Sequence, residues 1–498
     1  MNDNLHLDLA GRISDIEGKT LEFKRDLSSP DGPLRTLVAF ANSAGGRLVI
    51  GVTDDGTVVG VDDPFAEEER IASLIDDRIS PQLVPAIDLV TMRDKTVLIV
   101  DVPLSTRRPH YITRLGPEAG VYVRLGSTTR QADPALVAEL ERNARGIAFE
   151  GLPEPRAACE DLDLELLSKL RGRSTSVADL LALGLAVKQG DQIVPTNAGI
   201  LAACPDPTRF HPSAWVQCGR LRGPHGTDIF DQTEIHGPMP LAVHRAVEFL
   251  LKHAYKTAVF GEVRRRDIYS IPIEPIREVI VNALVHASYA ERGTPIRVGF
   301  YDDRIQVDSP GLLLPGMTID TMRRVSRLRN PALARIFREA GIMEQWGTGV
   351  QRVFEQVAEA GLPEPIIEEI QDRVRVTIYI PNHDPQQATA HDAREPEGEA
   401  QKPEDHNHPE HTYTHSNVGR YDVVMMRAAA QGPVHRNALL EAAGLKPLSQ
   451  NYTRHVVPLV NRGLLAMTVP DKPRSKAQRY ILTDEGRAYL RHLTEDSE

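Results

Sequence analysis

Glu278, Asn282 and His286 stand four residues apart in "REVIVNALVHASY", residues 277–289. Four residues are just over one helical turn, so a helix here carries carboxylate, amide and imidazole on one face. Val279, Ile280, Ala283 and Leu284 fall elsewhere and supply a core side. The polar stripe suits Mg²⁺ bound together with a nucleotide. Mg²⁺ takes oxygen ligands and keeps several waters, so one amide oxygen, that of Asn282, suffices beside phosphates. Glu278, one turn earlier, is placed to orient or deprotonate an attacking water. Two glycine-bearing stretches follow, "DSPG" at 308–311 and "GTGV" at 347–350. Glycines at a helix N-terminus let backbone N–H groups approach phosphate. A second set of acids and bases opens the chain in "EGKTLEFKRDL", residues 17–27. Two readings are open there: the acids hold a metal for cutting nucleic acid, or the stretch is the packed edge of a binding domain.

These groups need elements to position them. Residues 12–145 alternate helical and strand patterns. "GPLRTLVAFANSAG" reads as a helix stopped by Gly45-Gly46, "RLVIGV" as a buried strand, and "TDDGTVVGV" as a hairpin turning at Asp55-Gly56. Further strands give an α+β domain with a mostly antiparallel sheet. Residues 156–205 predict two helices, a short two-strand wing and a threonine-capped turn. Residues 206–380 predict strands, a long helix, the Glu278–His286 helix, and a hairpin turning at Asp302-Asp303. From 381 to 416 the chain is polar, acidic and proline-bearing, and holds six of its 17 histidines. That composition predicts a disordered linker. Residues 417–498 return to a helix–helix–helix–hairpin pattern.

The totals bound the class. A chain of 498 residues predicts three or four domains. No apolar run approaches the ~20 residues of a membrane span. The N-terminus lacks the basic flank and apolar core of a secretory signal. Cys159, Cys204 and Cys218 have no metal-ligand spacing and fit a reducing compartment, so the expected location is cytoplasmic. The net charge of −11 argues against coating nucleic acid over the whole surface but allows a local basic face.

The blocks "REVIVNALVHASY", "IRVGFYDDRIQVDSPG", "LRNPALARIF" and "GIMEQWGTGVQRV" resemble, in order, a divergent GHKL (Bergerat-type) ATPase domain, an α/β sandwich. The resemblance implies ATP and Mg²⁺ as cofactors. It makes Asn282 the metal ligand and Glu278 the residue acting on water. His286, Asp308, Gly311, Gly347, Thr348 and Gly349 complete the nucleotide contacts, with Asp308 toward adenine. Asp308 lies three residues before Gly311, where the family's box places it two before its first glycine.

"EGKTLEFKRDL", "VAFANSAGGRLVIGVTDDGTVVGV", "RRPHYIT" and "GVYVRLGSTTR" resemble a Schlafen-type, AlbA-like domain found in bacterial regulators. In RNA-cutting Schlafen proteins two glutamates five apart and a later aspartate hold a divalent cation. That pattern points to Glu17, Glu22 and Asp54 or Asp55 as nuclease acids, which would activate water. Against it, Glu22 and Lys24 alternate on a strand and pair readily, and Asp55-Gly56 is what a tight turn needs. Lys24, Arg25, Arg107, Arg108, Arg124 and Arg130 are candidate phosphate contacts.

The C-terminal segment looks like a winged helix-turn-helix. Its recognition helix begins at Ser449 and carries Asn451 and Arg454 in its first turns, where base edges are met. Its wing carries Lys472, Arg474 and Lys476. From 446 to 479 seven lysines and arginines face one acid, Asp471.

The leading expectation is a cytoplasmic, ATP-binding, DNA-binding transcriptional regulator of α+β multidomain fold, working as a homodimer or higher homo-oligomer. RNA or single-stranded nucleic acid is a possible second partner at the N-terminal domain. The alternatives are an ATP-gated metal-dependent endonuclease, of use in phage defence, and a non-catalytic scaffold with a decayed nucleotide site. The sequence contains no P-loop "GxxxxGK[ST]", which argues against a helicase motor.

Overall fold

The computed structural model describes residues 12–223, 226, 228–260, 265–291, 293–344, 349–381, 420–430 and 432–443, and shorter stretches between 455 and 490. It divides into two compact units, Met1–Glu395 and Pro396–Glu498. The linker expected at 381–416 falls almost wholly outside the described residues.

In the first unit, β1 (Leu21–Lys24) runs parallel to β2 (Gly46–Ile50), with α1 (Asp31–Asn42) as the crossover. Helix α1 is covered on nearly all sides, burying Leu34, Leu37, Val38 and Phe40. Each such side chain contributes about 1.5–3 kcal/mol on burial. The turn after β2 forms at Asp55-Gly56, where Gly56 has φ +80° and donates to Thr53 O at 2.8 Å. Helix α2 (Pro64–Arg78) starts where Asp63 accepts from Ala66 N and proline takes the first helical position. Strands β3 (Ala86–Met92) and β4 (Lys95–Val102) complete a sheet in the order β1-β2-β4-β3, antiparallel except for its first pair. A hairpin of β5 (Tyr122–Leu125) and β6 (Thr128–Gln131) packs on α1, and α3 (Pro134–Ala144) follows.

Next come α4 (Leu164–Arg171) and α5 (Val177–Leu183). Asp163 caps the first, and a Ser176–Asp179 capping box starts the second. Each ends on a left-handed glycine, Gly172 and Gly184. Strands β7 (Ala186–Gln189) and β8 (Gln192–Pro195) pair, and Thr196 caps α6 (Asn197–Ala203). The expected local elements are all present. The expected separation at 205/206 is not. Leu167, Leu180 and Leu201 share one hydrophobic cluster with Val216, Ile280 and Phe337. The reason is α6, whose residues are all buried because it is packed between α4, α7 and α9.

That core lies against a six-stranded sheet. Its strands are β9 (Val216–Arg222), β10 (Asp228–Ile235), β11 (Ile296–Phe300), β12 (Arg304–Pro310), β13 (Ile366–Ile370) and β14 (Arg373–Tyr379). Their order is β10-β9-β11-β12-β14-β13, antiparallel except for β9 with β11. The helices are α7 (Met239–His253), α8 (Ile273–His286), α9 (Pro331–Glu339) and α10 (Gly349–Glu359). Helix α8 packs on α10, α7 and β12.

The second unit has α11 (Arg420–Ala430) and α12 (Arg436–Ala442), and an antiparallel pair, β15 (Leu465–Met467) with β16 (Tyr480–Leu482). Met425, Leu439, Val456, Leu465 and Tyr480 share its core. Among the described residues of both units, no helix is long and apolar enough to cross a membrane.

Candidate functional site

Helix α8 presents Glu278, Asn282 and His286 together to one cavity, walled also by Val307 and Ser309 of β12, Gly311–Leu314, and Gly349 and Arg352 of α10. Glu278 is buried, with 6% exposed. Its Oε2 accepts from Arg352 Nη2 at 3.0 Å, and its Oε1 from Asn282 Nδ2 at 3.4 Å. Arg352 also pairs with Glu344. Because the Asn282 amide nitrogen faces Glu278, its oxygen is the atom left for a cation. The start of α10 comes so close to α8 that a Cβ on Gly349 would collide with Glu278 Oε1. Burial lowers the His286 pKa to about 4, so the ring is neutral at pH 7 and offers a hydrogen bond but no charge.

The expected Asp308 contact needs correction. Side chains alternate along a strand, so Val307 and Ser309 face the cavity and Asp308 faces away. Arg375 holds Asp308 by two hydrogen bonds, Nε to Oδ1 at 2.7 Å and Nη2 to Oδ2 at 2.8 Å. Ser309 points inward and donates to Ala283 O at 2.9 Å. Gly311 does line the cavity, with φ +95° and Ser288 too near for a Cβ. Gly347 and Thr348 lie outside the described residues. The sequence reading missed Arg352. Its signal was position, one helical turn beyond Gly349. It also missed Arg327, which lines the cavity from a loop where no periodicity points.

At the N-terminal domain the proposed acids do not converge. Glu17 Oε1 accepts from Phe23 N at 2.8 Å, which closes a turn. Both Glu22 oxygens are taken, Oε1 by Lys24 Nζ at 2.5 Å and Oε2 by Arg124 Nη1 at 2.9 Å. Asp54 is exposed on the turn. Asp55 accepts from Thr53 and Thr57, which holds its carboxyl below the usual range. Among the described residues no group of three or more His, Cys, Asp or Glu is arranged to hold a metal ion. Arg124 is likewise not a surface phosphate contact. Its side chain is 1% exposed, and it donates to Glu22, to Gly18 O at 2.5 Å and to Thr129 Oγ1 at 3.1 Å. It also sits over the Phe40 ring. Lys24 is half-buried, while Arg25 and Arg130 are exposed. Asn451, Arg454, Lys472, Arg474 and Lys476 lie outside the described residues.

Three family models match parts of the chain. Residues 17–133 match "Schlafen, AlbA_2". Residues 293–378 match "Putative ATP-dependent DNA helicase recG C-terminal". Residues 423–483 match the C-terminal domain of "Filamentation induced by cAMP protein Fic-like" proteins, where the sequence reading expected a winged helix. No curated protein matches. Among solved structures, a Corynebacterium diphtheriae protein is 20% identical, with 73% of this chain and 76% of that chain covered and a TM-score of 0.38. The N-terminal domain of a RecG-related protein from Nitrosomonas europaea is 30% identical, with 22% of this chain and 82% of that chain covered and a TM-score of 0.18. The chain therefore joins a Schlafen AlbA_2 domain to a RecG-like C-terminal domain of the HATPase_c_4 type.

Proposed function

We propose that this protein is an ATP-binding, nucleic-acid-binding regulator of transcription that acts as a homo-oligomer. One observation carries the nucleotide reading: the α8 residues Glu278, Asn282 and His286 line a single cavity with Gly311 and Gly349, which are distant from them in sequence. The donor set fits a Mg²⁺–nucleotide. It supplies one neutral amide oxygen, a buried carboxylate and a glycine helix start that admits close approach. Bound Mg²⁺ would supply charge to a triphosphate. Asn282 would hold it through its side-chain oxygen. Glu278 would orient water or accept its proton, but only with the oxygen that Arg352 does not cover. The apolar wall of Val307, Leu314 and Val376 would take the base and exclude water.

Calorimetry of the purified protein with ATP tests the reading. Asn282→Ala should abolish the Mg²⁺-dependent part of ATP binding with the melting temperature unchanged. Equal affinity in variant and wild type, or no binding by either, would overturn it.

DNA binding by the second unit rests on two supports. Two helices are followed by a paired β15 and β16, with Val434 bridging to Tyr480, as a winged helix requires. The excess of basic residues from 446 to 479 supplies the charge.

A further inference from the structure

The Schlafen domain and the nucleotide cavity meet along a seam that passes Gly316. Gly316 N donates to Ser43 O at 2.7 Å. Its φ is +87°, and a Cβ there would lie 2.9 Å from Leu104 Cδ2 and 3.2 Å from Arg327 Nη1. The loop that follows β4 and carries Leu104 is thus held within a few ångströms of Arg327, which itself lines the cavity.

That loop also carries Arg108. Its Nη1 turns back to Ser105, the residue after the Leu104 that meets Arg327 at Gly316, and burial, with the Arg327 charge adding to it, lowers the Arg108 pKa. Among the described residues neither has a carboxylate partner. Arg108 Nη1 donates to Ser105 O, and Arg327 Nη1 to Pro315 O at 2.7 Å. Arg108 Nε is buried and makes no hydrogen bond. Arg107, beside it, is exposed.

The loop is fixed in place. His110 Nε2 meets Ser105 Oγ and His110 Nδ1 meets Pro81 O, both at 2.7 Å. Asn42 bonds the His110 backbone in both directions, at 2.7 and 2.9 Å. Burial keeps the His110 ring neutral at pH 7 by lowering its pKa. Two like charges held together, with a buried N–H left over, oppose folding unless an anion joins them. Guanidinium forks match phosphate oxygens in both charge and geometry.

We propose that Arg108 and Arg327 form a phosphate site on the seam, which takes the backbone of a nucleic-acid strand lying along the Schlafen domain, with Arg107 extending it. This rests on the nucleic-acid-binding reading above and does not need ATP to bind. Arg327 faces both ligands, so nucleotide in the cavity and nucleic acid on the seam influence each other's affinity reciprocally.

The test uses full-length protein in which Lys472, Arg474 and Lys476 are all changed to Gln, so that the second unit contributes little. A short labelled oligonucleotide, single- or double-stranded, is titrated over a salt series. Arg108→Gln and Arg327→Gln should each weaken binding on every sequence and reduce the slope of log affinity against log salt by about one. Arg108→Gln should leave Mg²⁺–ATP affinity unchanged. Unaltered affinity and slope in both variants overturn the site. So does a loss confined to ATP affinity, which would assign the pair to the nucleotide's own phosphates. If either variant melts early, Arg107→Gln replaces it. Its exposed side chain can be removed without disturbing packing, and an unaltered slope there overturns the site as well. A wild type that binds oligonucleotide through these arginines but never binds ATP would sink the nucleotide reading and leave this site standing.

Discussion

Arg352 Nη2 lies 3.0 Å from Glu278 Oε2 and ties the start of α10 to the middle of α8. The pair sets a constraint on chemistry, because a carboxylate that is to act on water must present its other oxygen. Glu278→Gln keeps the acceptor for Arg352 and loses the base. It should bind Mg²⁺–ATP as the wild type does and release no phosphate. Calorimetry and a phosphate-release assay read the two halves separately. Loss of binding would instead make Glu278 a positioning residue for Asn282.

Gly349→Ala separates two opposed effects. Helix propensity alone favours alanine by about 1 kcal/mol. A Cβ would have to push aside the Glu278 carboxylate, which is buried and held by Arg352, and because it cannot swing away freely this costs more, about 1–3 kcal/mol for forced overpacking. The variant should therefore melt below the wild type and bind ATP more weakly. A higher melting temperature would show that α10 does not come this close to α8.

Glu22→Gln tests the two readings of the N-terminal acids. The carboxylate neutralises the buried Arg124, and removing the charge from such a pair costs about 3–5 kcal/mol. The expected outcome is a large drop in melting temperature with and without Mg²⁺. If Mg²⁺ stabilises the wild type and fails to stabilise the variant, the acids do form a metal site.

Glu150 gives the fold a pH dependence. Its carboxylate accepts from Ala332 N at 2.5 Å and Leu333 N at 2.9 Å, at the start of α9. Burial outweighs those bonds and raises its pKa to about 7, from 4.5. Between those values the folded state keeps a proton that the unfolded chain has lost. Stability from this group is therefore full below the lower value and falls as pH rises through the window, by roughly 3 kcal/mol in all. Urea midpoints at pH 5 and pH 7.5 should differ less in Glu150→Gln than in the wild type. Parallel shifts in the two proteins would count against the assignment.

The second unit makes a prediction from its sequence. Joint removal of Lys472, Arg474 and Lys476 should weaken binding to every duplex and flatten its salt dependence. Arg454→Ala should cost about 1–3 kcal/mol at a preferred site and much less elsewhere. Equal losses on all sequences would make Arg454 another phosphate contact.

The sequence by itself determined the helices and their ends, because capping and periodicity are local. Asp63-Pro64, Ser176 with Asp179, and the glycines after α4 and α5 act within one turn of chain. It also determined that Glu278, Asn282 and His286 share a face, since that needs only the helical repeat. Only the tertiary structure decided which charges are spent on each other. Glu22 and Arg124 lie 102 positions apart, and Arg352 and Glu278 lie 74 apart. No periodicity links such pairs, and burial makes the pairing obligatory. Asp308 turned on a single pleat, where one residue of register separates the cavity from the Arg375 side. The merging of residues 156–205 with the ATPase-type core likewise depended on what α6 packs against. A boundary drawn from composition cannot see that, because every short apolar helix looks the same until its neighbours are in place.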